Sequence, residues 1–270
     1  MLDLEKLKKT ARQVRIETIK AIYQAGSGHP GSSLSTVEIL TGLYFGGILK
    51  HSSQKPKWED RDYFILSNGH ACPSWYTILA ISGYFPMEEL SHLREFGHFL
   101  QGHPDKSKFE LVETTTGSLG QGIAVGLGLA LGLKSLNRKN LVYVLESDGE
   151  QDEGAVWEVN RIASHYKLNN LKIIIDRNGM QIDNFTEKNS ALEPLDLKYE
   201  SFGFAVKTID GHNFQDVIPG LGWLKEIKDK PGVLIAKTTR GKGVSFMENS
   251  LGYHARSLTK KEYYDALSEL

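Results

Sequence analysis

LVYVLESDGEQDEGAVWEVNRIASHYKLNNLKIIIDRNGMQI, residues 141–182, decides the fold. It opens on a short apolar run, 141–145, and turns at Ser147-Asp148-Gly149-Glu150. Val156, Val159, Ile162, Ala163 and Tyr166 follow at helical spacing, which predicts a helix over 156–168. Residues 171–175 form a second apolar run, ending in Asp176-Arg177-Asn178-Gly179. A strand, helix, strand unit of this length predicts a parallel pair joined by a right-handed crossover. Asp148 and Asn178 then lie just past the carboxyl ends of their strands, the edge at which open α/β sheets bind ligands.

Those two residues suit hard-metal chemistry. Mg²⁺ and Ca²⁺ take oxygen ligands, and Mg²⁺ is often held by one or two carboxylates together with substrate phosphates. Asp148 offers a carboxylate, Asn178 an amide oxygen, and the turn after Asn178 a backbone carbonyl. Asp-Gly and Asn-Gly are also ordinary turn dipeptides. The weight comes from finding both on one edge of one crossover unit.

Outward from this unit the chain alternates strands and helices, which predicts one α/β domain over residues 1–270, a mostly parallel sheet between two helical layers. Leu4, Leu7, Ala11, Val14, Ile19 and Ile22 form one stripe of an amphipathic helix over 4–25. It ends at Gly26-Ser27-Gly28-His29-Pro30-Gly31, which places His29 in an exposed loop. Ser35 and Glu38 fit a capping box for a helix over 36–49. A strand over 63–66 runs into Ser67-Asn68-Gly69-His70, ahead of a helix over 73–82 whose N-terminus is suited to a phosphate. Cys72 reads as a packed thiol. A short helix is expected over 87–96, and 123–133 reads as a buried helix whose Gly126, Gly128 and Gly132 permit tight packing. Residues 184–198 read as a polar covering loop, 204–209 and 233–238 as strands, and 258–270 as a terminal helix. Arg240 and Lys242 in a glycine-rich turn suit an anion site or a solvated basic turn.

Composition excludes several classes. Hydrophobic residues make up 40% and charged residues 24%, an ordinary globular balance. A net charge of −1 gives no bulk attraction to nucleic acid or to an acidic membrane. One cysteine rules out an internal disulfide framework and a cysteine-based zinc site. No signal-peptide pattern and no run of eighteen apolar residues is present, so a cytoplasmic protein is expected. No G-x-G-x-x-G follows the first strand, which argues against a dinucleotide-binding protein.

Asp148-Gly149 with Asn178 thirty residues on resembles the thiamine diphosphate signature, with Ser147 in place of its first glycine. Further stretches widen the resemblance to the transketolase family: SGHPGSSLS (27–35), DRDYFILSNGHA (60–71), QGHPD (101–105), TTGSLGQG (115–122) and KTTRGKGVSFMENS (237–250). Their order and spacing are similar to the diphosphate-binding domain of that family across essentially the whole chain. The resemblance implies transfer of a two-carbon ketol unit between sugars or sugar phosphates, with thiamine diphosphate and Mg²⁺ (or Ca²⁺ or Mn²⁺) as cofactors. It implies Asp148, Asn178 and the Met180 carbonyl as metal ligands, and His70, Gly149, Asn178 and Arg240 near the diphosphate. Gly117 and Leu119 would meet the aminopyrimidine, Ile182 the thiazolium, and Glu153 a subunit contact. His29, His103 and His254 would face the donor sugar, His103 at its terminal hydroxyl, with His29 and His254 shuttling a proton.

Ala255-Arg256 follows the last histidine where the family tends to have glycine. The pyrimidine-binding domain of a full transketolase has no counterpart in the sequence. The resemblance therefore implies the N-terminal subunit of a split transketolase, with the C-terminal subunit on a second chain and an α₂β₂ assembly. Two neighbouring readings remain at this stage. One is a thiamine diphosphate subunit that acts on a modified or non-phosphorylated sugar, or the α subunit of a 2-oxo acid dehydrogenase. The other is a non-catalytic relic, against which the retained Asp148, Asn178, Glu153 and histidines stand.

Overall fold

In the computed structural model the described residues are 2–182 and 184–270. The elements in order are α1 (Leu4–Ala25), α2 (Pro30–Ser35), α3 (Val37–Phe45), β1 (Tyr63–Leu66), α4 (Cys72–Ile81), α5 (Gln121–Ser135), β2 (Val142–Ser147), α6 (Gly154–His165) and β3 (Leu171–Arg177). There follow β4 (Met180–Gln181), β5 (Asn184–Phe185), α7 (Thr186–Asn189), α8 (Leu195–Ser201), β6 (Ala205–Asp210), α9 (Phe214–Glu226), β7 (Gly232–Lys237) and α10 (Lys260–Glu269). Five strands form one sheet in the order β1-β2-β3-β7-β6, parallel throughout. The short β4 and β5 pair antiparallel beside it.

The strands run parallel because helical crossovers join them, and those helices bury the central strands on both faces. Alternate residues enter two different cores. Phe64, Leu66, Tyr143, Leu145, Ile174 and Leu234 pack under α1, α3, α4 and α9. Ile65, Val142, Val144, Ile173, Ile175 and Val233 pack under α5, α6 and α8. These are the three layers expected from the sequence. A third cluster, with Ile19, Leu34, Val244, Met247 and Ala266, fastens α10 and the segment after β7 to α1. Among the described residues no helix is long and apolar enough to cross a membrane.

Several local expectations are corrected. The helix expected over 36–49 is α3, which stops at Phe45; a short unexpected helix, α2, precedes it, and no side chain caps α3. Ser35 instead donates to buried Asp176 (2.6 Å). Glu38 takes a two-pronged ion pair from Arg15 (2.7 and 2.8 Å), with His212 on the same carboxylate (2.9 Å). A capping box does form at Thr259 and Glu262, where it starts α10. Residues 87–96 hold only a tight 3₁₀ segment over Met87–His92. The expected covering loop contains β5, α7 and the start of α8. In α5 only Gly126 of the three packs closely, since a Cβ there would meet Val144; Gly128 and Gly132 face open space.

The Arg15–Glu38 pair leads to a stability prediction. Burial pushes the Glu38 carboxyl up, but Arg15 and the hydrogen bonds from His212 and Arg15 outweigh it and hold the group at about 2. The folded value lies below the unfolded one, so this stabilisation is present above about pH 4.5 and is lost as pH falls toward 2. Arg15→Met, which leaves the buried carboxylate only His212 of these partners, is expected to cost up to roughly 3–5 kcal/mol at neutral pH. Urea unfolding at pH 7 and at pH 3 checks this: the gap between variant and wild type should narrow in acid.

Candidate active site

The carboxyl ends of β1, β2, β3 and β7 converge, with the loop that leads into α2, on one cavity of about 260 Å³. Each strand delivers its residue for a local reason. β1 ends just before Ser67, and the turn behind it carries His70. β2 ends at Ser147, with Asp148 next; β3 ends at Arg177, with Asn178 next. β7 runs out into Thr238, Thr239 and Arg240. Ser147 pairs in register with Asp176 and keeps an ordinary strand conformation. Its place therefore needs no glycine, and the departure from the signature costs nothing in backbone freedom.

The structure brings together twelve of the thirteen residues expected at the site: His29, His70, His103, Gly117, Leu119, Gly149, Glu153, Asn178, Met180, Ile182, Arg240 and His254 all line this cavity. Asp148, the thirteenth, lies fully buried beneath its wall. His29 is half-buried at the head of α2, where an exposed loop was expected. Lys242 turns away to Glu248 (3.1 Å), so Arg240 alone of the two basic residues reaches the cavity. Cys72 is buried, and burial pushes its thiol up to about 12, as a packed thiol requires.

The histidines form a cluster. The ring of His29 stands 5.3 Å from His70, 5.7 Å from His103 and 5.3 Å from His254, and His70 stands 5.5 Å from His254. Burial first, then Arg94, His103 and Arg240, hold His29 at about 4. Burial first, then His29, His103 and Arg240, hold His70 at about 3, with its Nε2 against Ser32 Oγ (3.1 Å). Both rings are neutral at pH 7 and act as hydrogen-bonding groups there.

At the other end of the cavity, Asp148 Oδ2 accepts from Arg177 Nη1 (3.0 Å) and from the Gly179 N–H, while Oδ1 is buried with no partner among the described residues. Burial lifts this carboxyl to about 7, Arg177 pulling it down and Asp176 pushing it up. A cation beside Oδ1 would relieve both costs. The Asn178 amide donates to Asp176 Oδ2 (3.1 Å), which turns its oxygen toward the Met180 N–H (3.1 Å). Among the described residues no three His, Cys, Asp or Glu side chains converge as a metal site. The donor set on offer is therefore one carboxylate, one amide oxygen and a carbonyl, which fits a hard ion sharing its shell with phosphate. Buried Arg240 supplies the positive charge a diphosphate needs. The turn that carries it is pinned from behind, since the Thr239 N–H donates to His212 Nε2 (2.7 Å). Ile182, half-exposed, has a left-handed φ of 39°, which a β-branched residue adopts at a cost of roughly 1–3 kcal/mol.

The sequence reading missed Ser32, Asp152 and Gln181, which also line the cavity, and Arg94 and Arg177, which hold its residues. Arg177 stands in the DRN turn and was open to notice; nothing local marked Arg94.

The family model described as transketolase, thiamine diphosphate binding domain, matches residues 6–269. The chain belongs to this family. Its similarity to a 6-deoxy-6-sulfo-D-fructose transketolase subunit of Clostridium sp. (strain MSTE9) is 39% identity over 264 residues, 98% of this chain and 96% of that one. An apulose-4-phosphate transketolase subunit of Actinobacillus succinogenes is 40% identical over 271 residues, 100% of this chain and 97% of that one. The solved transketolase of Campylobacter jejuni superposes with a TM-score of 0.92 at 32% identity, covering 99% of this chain and 43% of that one. The transketolase of Leishmania mexicana gives 0.92 at 30%, covering 97% and 41%. The chain thus spans about two fifths of the solved transketolases and nearly the whole of the relatives named as subunits.

Proposed function

We propose that this chain is the diphosphate-binding subunit of a two-chain transketolase, moving a two-carbon ketol unit from a donor ketose to an acceptor aldose. The observation that carries the reading is one cavity that holds a buried arginine and a cluster of four histidines, with an orphaned buried carboxylate oxygen beneath its wall. Thiamine diphosphate, when bound, supplies the carbon nucleophile and the electron sink. Asp148, Asn178 and the Met180 carbonyl hold Mg²⁺, with Ca²⁺ or Mn²⁺ as substitutes. Arg240, His70 and the backbone at Gly149 receive the diphosphate. Gly117 and Leu119 meet the aminopyrimidine through their backbone, and Ile182 covers the thiazolium. His29, His103 and His254 bind the donor sugar and handle the proton that leaves its hydroxyl as the carbon–carbon bond breaks. Glu153, exposed at the head of α6, meets the partner, which brings the pyrimidine-binding domain in an α₂β₂ assembly.

Support for two chains comes from the relatives named as subunits, which match over 95–97% of their own length. The same relatives are named for 6-deoxy-6-sulfo-D-fructose and apulose-4-phosphate, which favours a modified ketose as donor here. Mixing the purified chain with its partner is expected to raise ketol transfer at least about a thousandfold over either alone. Turnover by the single chain at the mixed rate would overturn the two-chain reading. No cofactor binding in the assembled pair would overturn the catalytic one. A panel of ordinary, sulfonated and branched ketoses then reads the donor.

A further inference from the structure

Arg94 lies in the segment after the 3₁₀ turn, outside every motif that marked the site. Its backbone is held in the left-handed region, φ 64°, with its N–H on the Leu100 carbonyl (2.7 Å). Its guanidinium donates from Nη1 to Ser27 Oγ (2.9 Å) and from Nη2 to the Gly102 carbonyl (3.4 Å). Gly102 leaves just enough room: a Cβ there would stand 2.7 Å from Arg94 Cζ. A strained residue this closely fitted beside a cavity wants a role. Its remaining contact supplies one, because Nη2 also faces His29 Nδ1 at 3.4 Å.

Arginine has five donors, no acceptor, and does not lose its proton. At this contact the imidazole nitrogen must therefore be the acceptor. With Nδ1 a lone pair, the single proton of neutral His29 sits on Nε2. We propose that Arg94 is a positioning residue that fixes His29 as a neutral imidazole protonated on Nε2, so that His29 presents an N–H to the substrate. The groups facing His29 reinforce this: His70 from the turn after β1, His103 from the 101–105 loop, His254 and Arg240 from beyond β7, and Arg94 itself. Burial, together with the neighbouring cations Arg94 and Arg240 and the ring of His103, disfavours a second proton on His29.

A second arginine stands beside a second histidine of the cluster. Arg240 Nη2 likewise lies against His254 Nδ1. His103, by contrast, has no hydrogen bond to its ring among the described residues. The tautomer follows from the chain's own geometry; only its use on a sugar rests on the transketolase reading.

The test needs neither cofactor nor partner. Long-range ¹H–¹⁵N spectra of the full chain with ¹⁵N-histidine, assigned with His29→Gln, read the tautomer directly. The expected pattern for His29 is Nε2–H, unchanged between about pH 5.5 and 8. In Arg94→Met the pattern should become a mixture, and the titration midpoint should rise by about one unit or more. Arg94→Lys, which keeps the charge, should retain a low midpoint. An Nδ1–H pattern in the wild type, or an unaltered His29 in a folded Arg94→Met chain, overturns the proposal. Should Arg94→Met fail to fold, the wild-type tautomer and the Arg94→Lys midpoint still decide it. Failure of ketol transfer in the assembled pair would leave these spectra untouched, so the two readings fail separately.

Discussion

Asp148→Asn is expected to abolish metal-dependent thiamine diphosphate binding while leaving the fold standing. The carboxylate has two jobs. Oδ2 receives Arg177 and the Gly179 N–H, tying β2 to the turn after β3. Oδ1 is buried with no partner among the described residues, a hard oxygen able to take a cation. An asparagine oxygen can take over the first job, because it accepts hydrogen bonds in the same volume. Its NH₂ then occupies the place of Oδ1, a donor where a cation needs an acceptor. Affinity for Mg²⁺ with thiamine diphosphate should fall on the order of 100-fold or more. Calorimetry on the assembled pair reads this directly. Thermal unfolding reads it again, since a ligand that binds only the folded state raises the midpoint by mass action. The wild type should gain stability on adding both cofactors and Asp148→Asn should gain none; equal gains would remove Asp148 from the metal site. Asp148→Ala is the poorer probe. It leaves Arg177 with Glu187 and Glu193 but removes the tie between β2 and the turn after β3, so lost stability and lost cofactor binding would be mixed.

Gly69→Ala should damage both stability and cofactor binding through a single methyl. Gly69 lies between the end of β1 and His70. A Cβ on it would stand 2.6 Å from Thr116 Oγ1, 2.8 Å from Gly117 N and 2.9 Å from the Thr116 carbonyl carbon. Two of those atoms are backbone and cannot swing aside. The loops that carry His70 and Gly117 must then part, at a cost of about 1–3 kcal/mol. Those loops meet opposite ends of the cofactor in the proposed arrangement, so affinity should drop with stability. Gly132→Ala is the matching control. Gly132 is on the open face of α5 with nothing within 4 Å, and there the same methyl should stabilise the helix by roughly 0.5–1 kcal/mol. Chemical denaturation of the two variants should move in opposite directions. A neutral Gly69→Ala would mean that the two loops are not in contact.

Much of this molecule is legible one segment at a time. The apolar runs at β2 and β3, with a helical stripe between them, fix a parallel crossover, because strand period, helix period and crossover hand are local properties of an L-polypeptide. Asp148 and Asn178 follow to the same sheet edge with no further information. The glycine-rich stretches around His29, His70 and Gly117 announce loops, and loops in such a fold gather where the strands end. The errors were of a different kind. Ser35 and Glu38 have the spacing of a capping box, yet both side chains are drawn off by partners far along the chain, Asp176 in one case and Arg15 with His212 in the other. A local preference worth about 1 kcal/mol loses to a buried charge that must be paired.

The sequence by itself determined the alternating elements, the edge that carries the site and nearly every residue that lines it. Only the tertiary structure decided the strand order, which places β7 between β3 and β6 and so brings Arg240 to Asn178's edge. It also decided which charge answers which. Arg94 reaches His29 across 65 positions of chain, His212 reaches Glu38 across 174, and Arg177 takes Oδ2 of Asp148. No pattern of period or spacing records these pairs, because each is settled by the need to satisfy a buried charge with whatever segment the packed sheet has brought beside it.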